Sequence, residues 1–366
     1  MLEFLSLKKE TFGLDISDSS LKIIKLKKKR KGFSLASFGE QEIKNGIIKD
    51  GEIKDEDSLV KIIREGIFKV KGEKIRTKYV ICSLPEEKSF VTVIQMPKLR
   101  EEELKTAVRY EAENHIPFPL EEVYLDFQVI PSPRNHLDHI DILLVAFPKK
   151  IVDSYISCLK KAGLQPLVFE LESLAIVRSL VKDEKSSFPI LLIDFGGAKT
   201  IFITFSGSSL RFTSFISVSS QEFTEIIVKN LKVDYQEAEN LKIKYGLEGK
   251  STKGKKVFES LIPPLIDLVE QIKKQLSFYE THSSHEHLLS EYKGVQKIFL
   301  SGGGANLKRL ADFLNEQLKI PAELGNPWIN ILPKFQKEMT LLSSKYSLKY
   351  TTAIGLALRG TKQIYD

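Results

Sequence analysis

Two short stretches constrain this chain more than anything else in it: FGLDISDSSLK, residues 12–22, and LLIDFGGAKT, residues 191–200. In each, an apolar strand delivers an aspartate, Asp15 or Asp194, into a turn of small residues. A second strand follows at once, marked by Leu21, Ile23, Ile24 and Leu26 in the first and by Ile201, Ile203 and Phe205 in the second. Gly, Ser and Asp favour tight turns because they tolerate unusual backbone angles or bond their own backbone. Two Asp-tipped hairpins in one chain imply two related half-domains facing one ligand.

The length of 366 residues fits that reading, since single cores stop growing well below it. No apolar run approaches the roughly 18–20 residues that span a bilayer. The opening MLEFLSLKKETF lacks the basic-then-apolar order of a signal peptide. Cys82 and Cys158 form no CxxC pair, which favours a reducing compartment. The net charge of +7 has one dense cluster, KLKKKRKG at 25–32, placed where a hairpin would turn at Gly32. Such a cluster is a solvated tip or a weak anionic-lipid contact. Without a helix-turn-helix, a zinc knuckle or a stacking platform beside it, nucleic acid is set aside.

Strand-like runs recur at 12–16, 20–27, 33–38, 78–84, 90–95, 124–130, 140–147, 190–194, 200–205, 210–216 and 296–300, with helical patterns between them. This is an α/β pattern. Helices are expected at 56–69, at 101–115 until Pro117 and Pro119 stop it, at about 172–182, and at 264–280 after a Pro-Pro start. EKSSFP at 184–189 reads as a linker, and EGKSTKGKK at 248–256 as an exposed loop. His282, His285 and His287 lie in a polar segment with no partner at metal-ligand spacing, so they read as a solvated loop.

The third signal is IFLSGGGANLKRLADFLNEQL, residues 298–318, a strand running into three glycines and a helix starting near Asn306. Glycines let backbone approach a ligand, and a helix N-terminus favours anions. Combined with the hairpins, this predicts a nucleoside polyphosphate. Ser17, Asp18, Ser19 and Ser20 in the first turn, and Gly196, Gly197, Ala198, Lys199 and Thr200 in the second, would wrap the phosphates. Asp15 and Asp194 would take Mg²⁺, partly through its waters. Gly302, Gly303, Gly304, Ala305 and Asn306 would border the adenine and ribose of ATP.

This order of loops resembles the actin-like ATPase superfamily. The resemblance implies a phosphate-reaching lysine, matched by Lys22 seven residues after Asp15, and a Glu–Lys pair on a later helix, matched by Glu239 and Lys242. It also implies a water-orienting acid, for which Glu172 in ELESLAIVRSL (170–180) is the candidate catalytic residue. Within the superfamily, VIQMPKLREEELKTAVRYEAENHIPFPLEEVYLDFQVI at 93–130 looks like the signature of the type IV pilus assembly protein PilM family. IIKDGEIKD (47–55) and YTTAIGLALRG (350–360) resemble the same family's flanking segments. The implied fold is an FtsA-like α/β actin-like ATPase (ribonuclease H-like) with an inserted 1C subdomain. The implied division is 1–78 and 165–185 as subdomain 1A, 79–164 as 1C, 186–222 and 296–366 as 2A, and 223–295 as 2B.

What the family implies is a cytoplasmic ATP-binding adaptor, held at the inner membrane by the tail of a PilN-like protein and linked through the pilus platform to its motor ATPases. A small-molecule kinase and a self-associating, filament-forming ATPase stay open as alternatives. The first turn departs from the family's Asp-Ile-Gly-Ser-Ser-Ser: Ser17 replaces Gly and Asp18 replaces a hydroxyl. A like charge about 4 Å from a phosphate costs about 4 kcal/mol at an effective dielectric of 20. Lys199 would offset part of that, so weak ATP binding and slow or absent hydrolysis are expected.

Overall fold

The computed structural model describes residues 9–30, 32–131, 138–282, 292, 294–331 and 342–361. Strands β1 (Phe12–Ile16), β2 (Ser20–Lys29) and β3 (Gly32–Glu42) form an antiparallel meander, with β1 buried at every position. A two-strand ribbon, β4 (Ile48–Lys49) with β5 (Glu52–Ile53), leads into α1 (Glu56–Phe68), whose first turn is capped by the Asp55 carboxylate on the Ser58 N–H. β6 (Lys71–Gly72) pairs with β3, and β7 (Tyr79–Leu84) returns parallel to β1. The YVICSL run of β7 is buried almost throughout, as befits an interior parallel strand.

The chain then leaves this sheet. β8 (Phe90–Pro97), α2 (Glu101–His115), β9 (Val123–Ile130) and β10 (His139–Pro148) make a separate three-stranded sheet with one helix, ordered β8-β10-β9. Leu104, Val108 and Ala112 of α2 seal it against Ile94, Ile142 and Leu144. α3 (Lys149–Lys161) and β11 (Gln165–Leu171) return to the first sheet, whose full order is β11-β7-β1-β2-β3-β6. α4 (Glu172–Leu180) crosses to the second half.

That half repeats the plan. β12 (Ser186–Phe195), β13 (Thr200–Gly207) and β14 (Ser209–Ile216) form a second antiparallel meander. Helices α5 (Ser220–Leu231), α6 (Tyr235–Tyr245) and α7 (Thr252–His282) follow, then β15 (Lys297–Ser301), α8 (Leu310–Leu318) and β16 (Ala322–Leu324). β15 and β16 add in parallel, giving the order β14-β13-β12-β15-β16. A short α9 (Ser344–Ser347) precedes α10 (Thr351–Arg359), which lies buried against α4 and β1 of the first half. Leu348 belongs to the second core, while Trp328, Ile331 and Leu342 before it and Tyr350 after it pack on the first sheet.

Several expectations are corrected. β7 and α3 belong to the first sheet and its core, so the separate sheet spans 90–148 rather than 79–164. α10 packs on the first half, not the second. Helices α5–α7 share one core with the second sheet, so 223–282 is a layer of that half. Residues 186–189 open β12 instead of linking domains. α7 starts at Thr252 and runs through Pro263 and Pro264, because Val257, Leu261, Leu265 and Leu268 continue one buried stripe across them. The basic cluster does turn at Gly32, but Lys25 is buried and bonds Glu10 at 2.9 Å. Lys31, His285 and His287 lie outside the described residues. His282 ends α7 and stacks on Phe278.

Candidate functional site

The two Asp hairpins face each other across the cleft between the halves. A Cβ built on Gly197 would lie 3.3 Å from Ser19 Oγ, which measures how closely the turns approach. They share a cavity of about 250 Å³ lined by Asp15, Lys22, Glu172, Asp194, Lys199 and Gly303, among others.

Register sets the first turn. Asp15 stands opposite Lys22 in the β1–β2 pair, and Lys22 Nζ lies 3.8 Å from Asp15 Oδ2 while donating to Ser20 Oγ at 2.7 Å. From the neighbouring β7, Ser83 Oγ donates to Asp15 Oδ1 at 3.1 Å. The Ser17 N–H donates to the Ser20 carbonyl at 2.9 Å, and the Ser17 hydroxyl bonds Ser20 again at 3.1 Å. The backbone of Ser17 is not left-handed, so the turn loses nothing by lacking glycine there. Asp18 also differs from expectation. Its two oxygens accept the N–H groups of Asp50 and Gly51 at 2.9 and 3.0 Å, both residues having positive φ. Its carboxylate is a clamp on the β4–β5 turn, each oxygen accepting one of these bonds, while the residue still lines the cavity.

In the second turn Gly196 donates to the Lys199 carbonyl at 3.0 Å, and a Cβ on Gly196 would meet that oxygen at 2.6 Å. Asp194 accepts the Ser301 hydroxyl at 2.7 Å; burial, with the nearby Asp15 charge, raises its carboxyl above the usual range. Lys199 pairs with Glu87 and lies 3.4 Å from Glu172. Glu172 is buried at the start of α4, and burial together with Glu87, Asp15 and Glu86 pushes its carboxyl up to about 8, against the pull of Lys199. A carboxyl raised in this way stabilises the fold below its unfolded value and loses that contribution as pH rises toward 8. The melting temperature of the ligand-free chain should therefore fall between pH 5 and 8 more steeply than that of Glu172→Gln. Parallel curves would remove Glu172 as the cause.

The triple glycine divides its work. A Cβ on Gly302, at φ 83°, would lie 2.4 Å from the Phe195 carbonyl oxygen, and one on Gly304 would lie 2.6 Å from the Phe195 ring. Both glycines serve packing against the second hairpin. Only Gly303 faces open space, its nearest neighbour being Lys349 Cβ at 3.8 Å. The helix expected near Asn306 begins at Leu310, after a single 3₁₀ turn over 304–306. A second cavity of about 450 Å³ adjoins the first and shares Gly197, Gly303 and Lys349 with it. Its walls include Glu239, Lys242, Asn306 and Tyr346. Lys242 lies 2.8 Å from Glu239 and donates to Ser220 and Thr224 of α5, and its burial lowers the amine's pKa. Asn306 ties the loop to the Lys345 carbonyl at 3.0 Å, while its Oδ1 is buried without a partner.

Of the expected residues, Thr200 and Ala305 do not reach either cavity. Thr200 is fully buried and bonds the Val218 carbonyl, and Ala305 sits in the second core. Glu40, Lys349, Ser83, Ser301 and the Glu86–Glu87 pair join the site without having been foreseen from the sequence. The only signal for that pair was two acids just after Pro85 at the end of a buried strand.

Another cavity, of about 610 Å³, lies between two strands that are sheet edges among the described residues: β9 of the three-stranded sheet and β11 of the first sheet. Phe127, Leu143, Phe169 and Leu174 line it. On its wall Arg178 holds Glu170 by two bonds of 2.5 and 2.7 Å, both residues buried, and Arg359 Nε is buried without a partner.

The family model of the type IV pilus assembly protein PilM matches residues 13–361. The chain belongs to the PilM family. Among solved structures similar to this family member is a PilM–PilN type IV pilus biogenesis complex, at a TM-score of 0.79 and 25% identity, covering 97% of this chain and 100% of that one. Cell division protein FtsA of Streptococcus pneumoniae serotype 2 is 26% identical over 86% of this chain and 75% of that protein. MreB 5 of Spiroplasma citri, bound to AMPPNP, superposes at a TM-score of 0.55 with 11% identity, covering 96% of each chain, which speaks for the fold alone. The fold is that of the actin-like ATPases, with the insert that an FtsA-like relative leads one to expect. Among the described residues, no helix of this PilM-family chain is long and apolar enough to cross a membrane.

Proposed function

We propose that this PilM-family chain is an ATP-binding adaptor of the type IV pilus assembly platform, holding the tail of a PilN-like membrane protein. The observation that carries the nucleotide half is the convergence of Asp15, Lys22, Asp194, Lys199 and Gly303 on one cavity joined to a second. The donor set suits Mg-ATP. Mg²⁺ keeps several waters and takes one or two carboxylates besides the phosphates. Among the described residues, no three His, Cys, Asp or Glu gather as a metal cage of their own, so the phosphates would have to complete the shell. Asp15 and Asp194 would hold the ion, in part through its waters, and Lys22 and the Ser19–Ser20 turn would meet the phosphates. The orphaned Asn306 Oδ1 offers an acceptor at the nucleoside end. Glu172, raised to about 8, is largely protonated at neutral pH and a poor base for activating water, so hydrolysis is slow in this reading.

The partner half rests on the family and on the groove between β9 and β11. An extended tail can pair with an unpaired strand edge while its side chains fill apolar pockets. The protein then sits in the cytoplasm and is held at the inner membrane by that tail. A synthetic peptide of the cytoplasmic tail of a PilN-like protein should bind the full chain in solution. Phe127→Asp should weaken that binding by about thirtyfold, the cost of losing an aromatic anchor of about 2 kcal/mol. Flotation with lipid vesicles at high salt, with no response to the peptide, would overturn the adaptor reading.

A further inference from the structure

The cleft and the groove are built from the same two short segments. Leu84 lines the groove, and Glu87, in the turn that follows, pairs with Lys199 at the cleft. Leu171 and Leu174 line the groove, while Glu172 between them lines the cleft. The segments are tied together, because Glu86 Oε2 accepts the Ser173 N–H at 2.7 Å and is itself buried. The turn is closed by its own backbone, Lys88 donating to the Pro85 carbonyl at 3.0 Å and Ser89 to the Glu86 carbonyl at 2.9 Å. It leads directly into β8 of the insert. The ammonium of Lys199 links this assembly to the second hairpin.

Lys199 is a half-buried cation among acids. Its neighbours include Glu87, Glu172 and Asp18, and of the two carboxyl groups it contacts, Glu87 is the more exposed. An anion entering the cavity meets this ammonium in the wall of the second turn. The phosphates carry more charge than one carboxylate and approach from the open side, so Glu87 is the partner that yields.

We infer that Lys199 is contested between Glu87 and the phosphates of a bound nucleotide, so that occupancy of the cleft loosens the Leu84–Ser89 turn and couples to the peptide groove. The inference rests on the nucleotide reading above. Lys199 acts here through the turn and is a positioning residue for the groove. Any such coupling is reciprocal, so a peptide that fixes the turn shifts nucleotide affinity by the same factor.

The test is a calorimetric titration of Mg-ATP into the full chain, with amide hydrogen exchange followed at the Lys88 and Ser89 N–H groups. Glu87→Gln removes the competitor and should bind Mg-ATP about fivefold more tightly, at the low end of ordinary coupling between sites. Glu87→Asp keeps the charge and should behave as wild type. In the wild-type chain Mg-ATP should speed exchange at Lys88 and Ser89; in Glu87→Gln that exchange should be fast before any nucleotide is added. A Glu87→Gln chain that binds Mg-ATP no better than wild type would overturn the competition. So would protection of residues 17–20 and 196–199 by Mg-ATP with no change at Lys88 and Ser89. Absence of heat and of loop protection in every variant would instead overturn the nucleotide reading, and the coupling with it.

Discussion

Mg-ATP should raise the melting temperature of the wild-type chain by several degrees and leave that of Asp194→Ala unchanged. A ligand that binds only the folded state at a hundred times its Kd adds about 2.7 kcal/mol. Asp194 stands at the end of β12, facing Asp15 across the cavity, and accepts the Ser301 hydroxyl. Alanine there removes half of the carboxylate pair that would hold Mg²⁺. It also relieves a charge that is costly without the ion, since burial and Asp15 both oppose its ionisation. The variant should therefore be at least as stable as wild type in buffer alone, and differ only in its response to ligand. An Asp194→Ala chain that still gains the full rise would dismiss the cavity as the nucleotide site.

Gly355→Val should prevent the chain from reaching a stable native state. A Cβ on Gly355 would lie 1.8 Å from the Ala175 carbonyl oxygen, and one on Gly13 would lie 2.4 Å from the Ala353 carbonyl oxygen. Helix α10 thus touches the backbones of α4 and β1, with Ala175, Leu356 and Ala353 fully buried around it. Neither backbone can yield without displacing α4 or β1, both buried almost throughout. The cost should exceed about 4 kcal/mol, in the range reached only by overpacking of this kind. Urea denaturation measures it, with Gly303→Ala as the comparison. Gly303 has only Lys349 Cβ near, so its stability should stay within about 0.5 kcal/mol of wild type. A Gly355→Val chain with an unchanged midpoint would show that the two crossing helices have slack.

Both hairpins are legible in the sequence because burial and turn chemistry are local properties. An apolar run that ends in Asp-Phe-Gly-Gly has few other uses, and β1, β2, β12 and β13 form where the pattern puts them. β11 escapes such a reading because its QPLVFEL begins beside a proline and lacks a two-residue period; its place depends on the parallel edge of β7. The helical start of α7 is hidden because prolines locally mark a boundary, whereas packing of one long stripe against the second sheet offsets their cost of about 3 kcal/mol. In the site, most cavity-lining residues on the three loops can be named from composition, Thr200 and Ala305 being the exceptions that turn into the core. The acids from elsewhere cannot. Glu87 meets Lys199 across 112 residues of sequence, and Glu40 meets Lys349 across 309, through closures that only the assembled sheets produce. The role of Asp18 is hidden for the same reason, since its partners at Asp50 and Gly51 lie on a ribbon with no visible tie to the first turn.

The position of α10 has a consequence for the order in which the molecule can be made. Ile24, Leu26 and Phe38 of the first sheet find their cover in Tyr350, Ile354 and Leu358. Those covering residues leave the ribosome about 270 residues after β7, a delay of roughly 15–50 s at ordinary rates of synthesis. Until then the opposite face of the sheet can pack on α1 and α3, while this one stays bare. The first half is therefore translated early and completed last, and the nascent chain carries an open apolar sheet face through most of its synthesis.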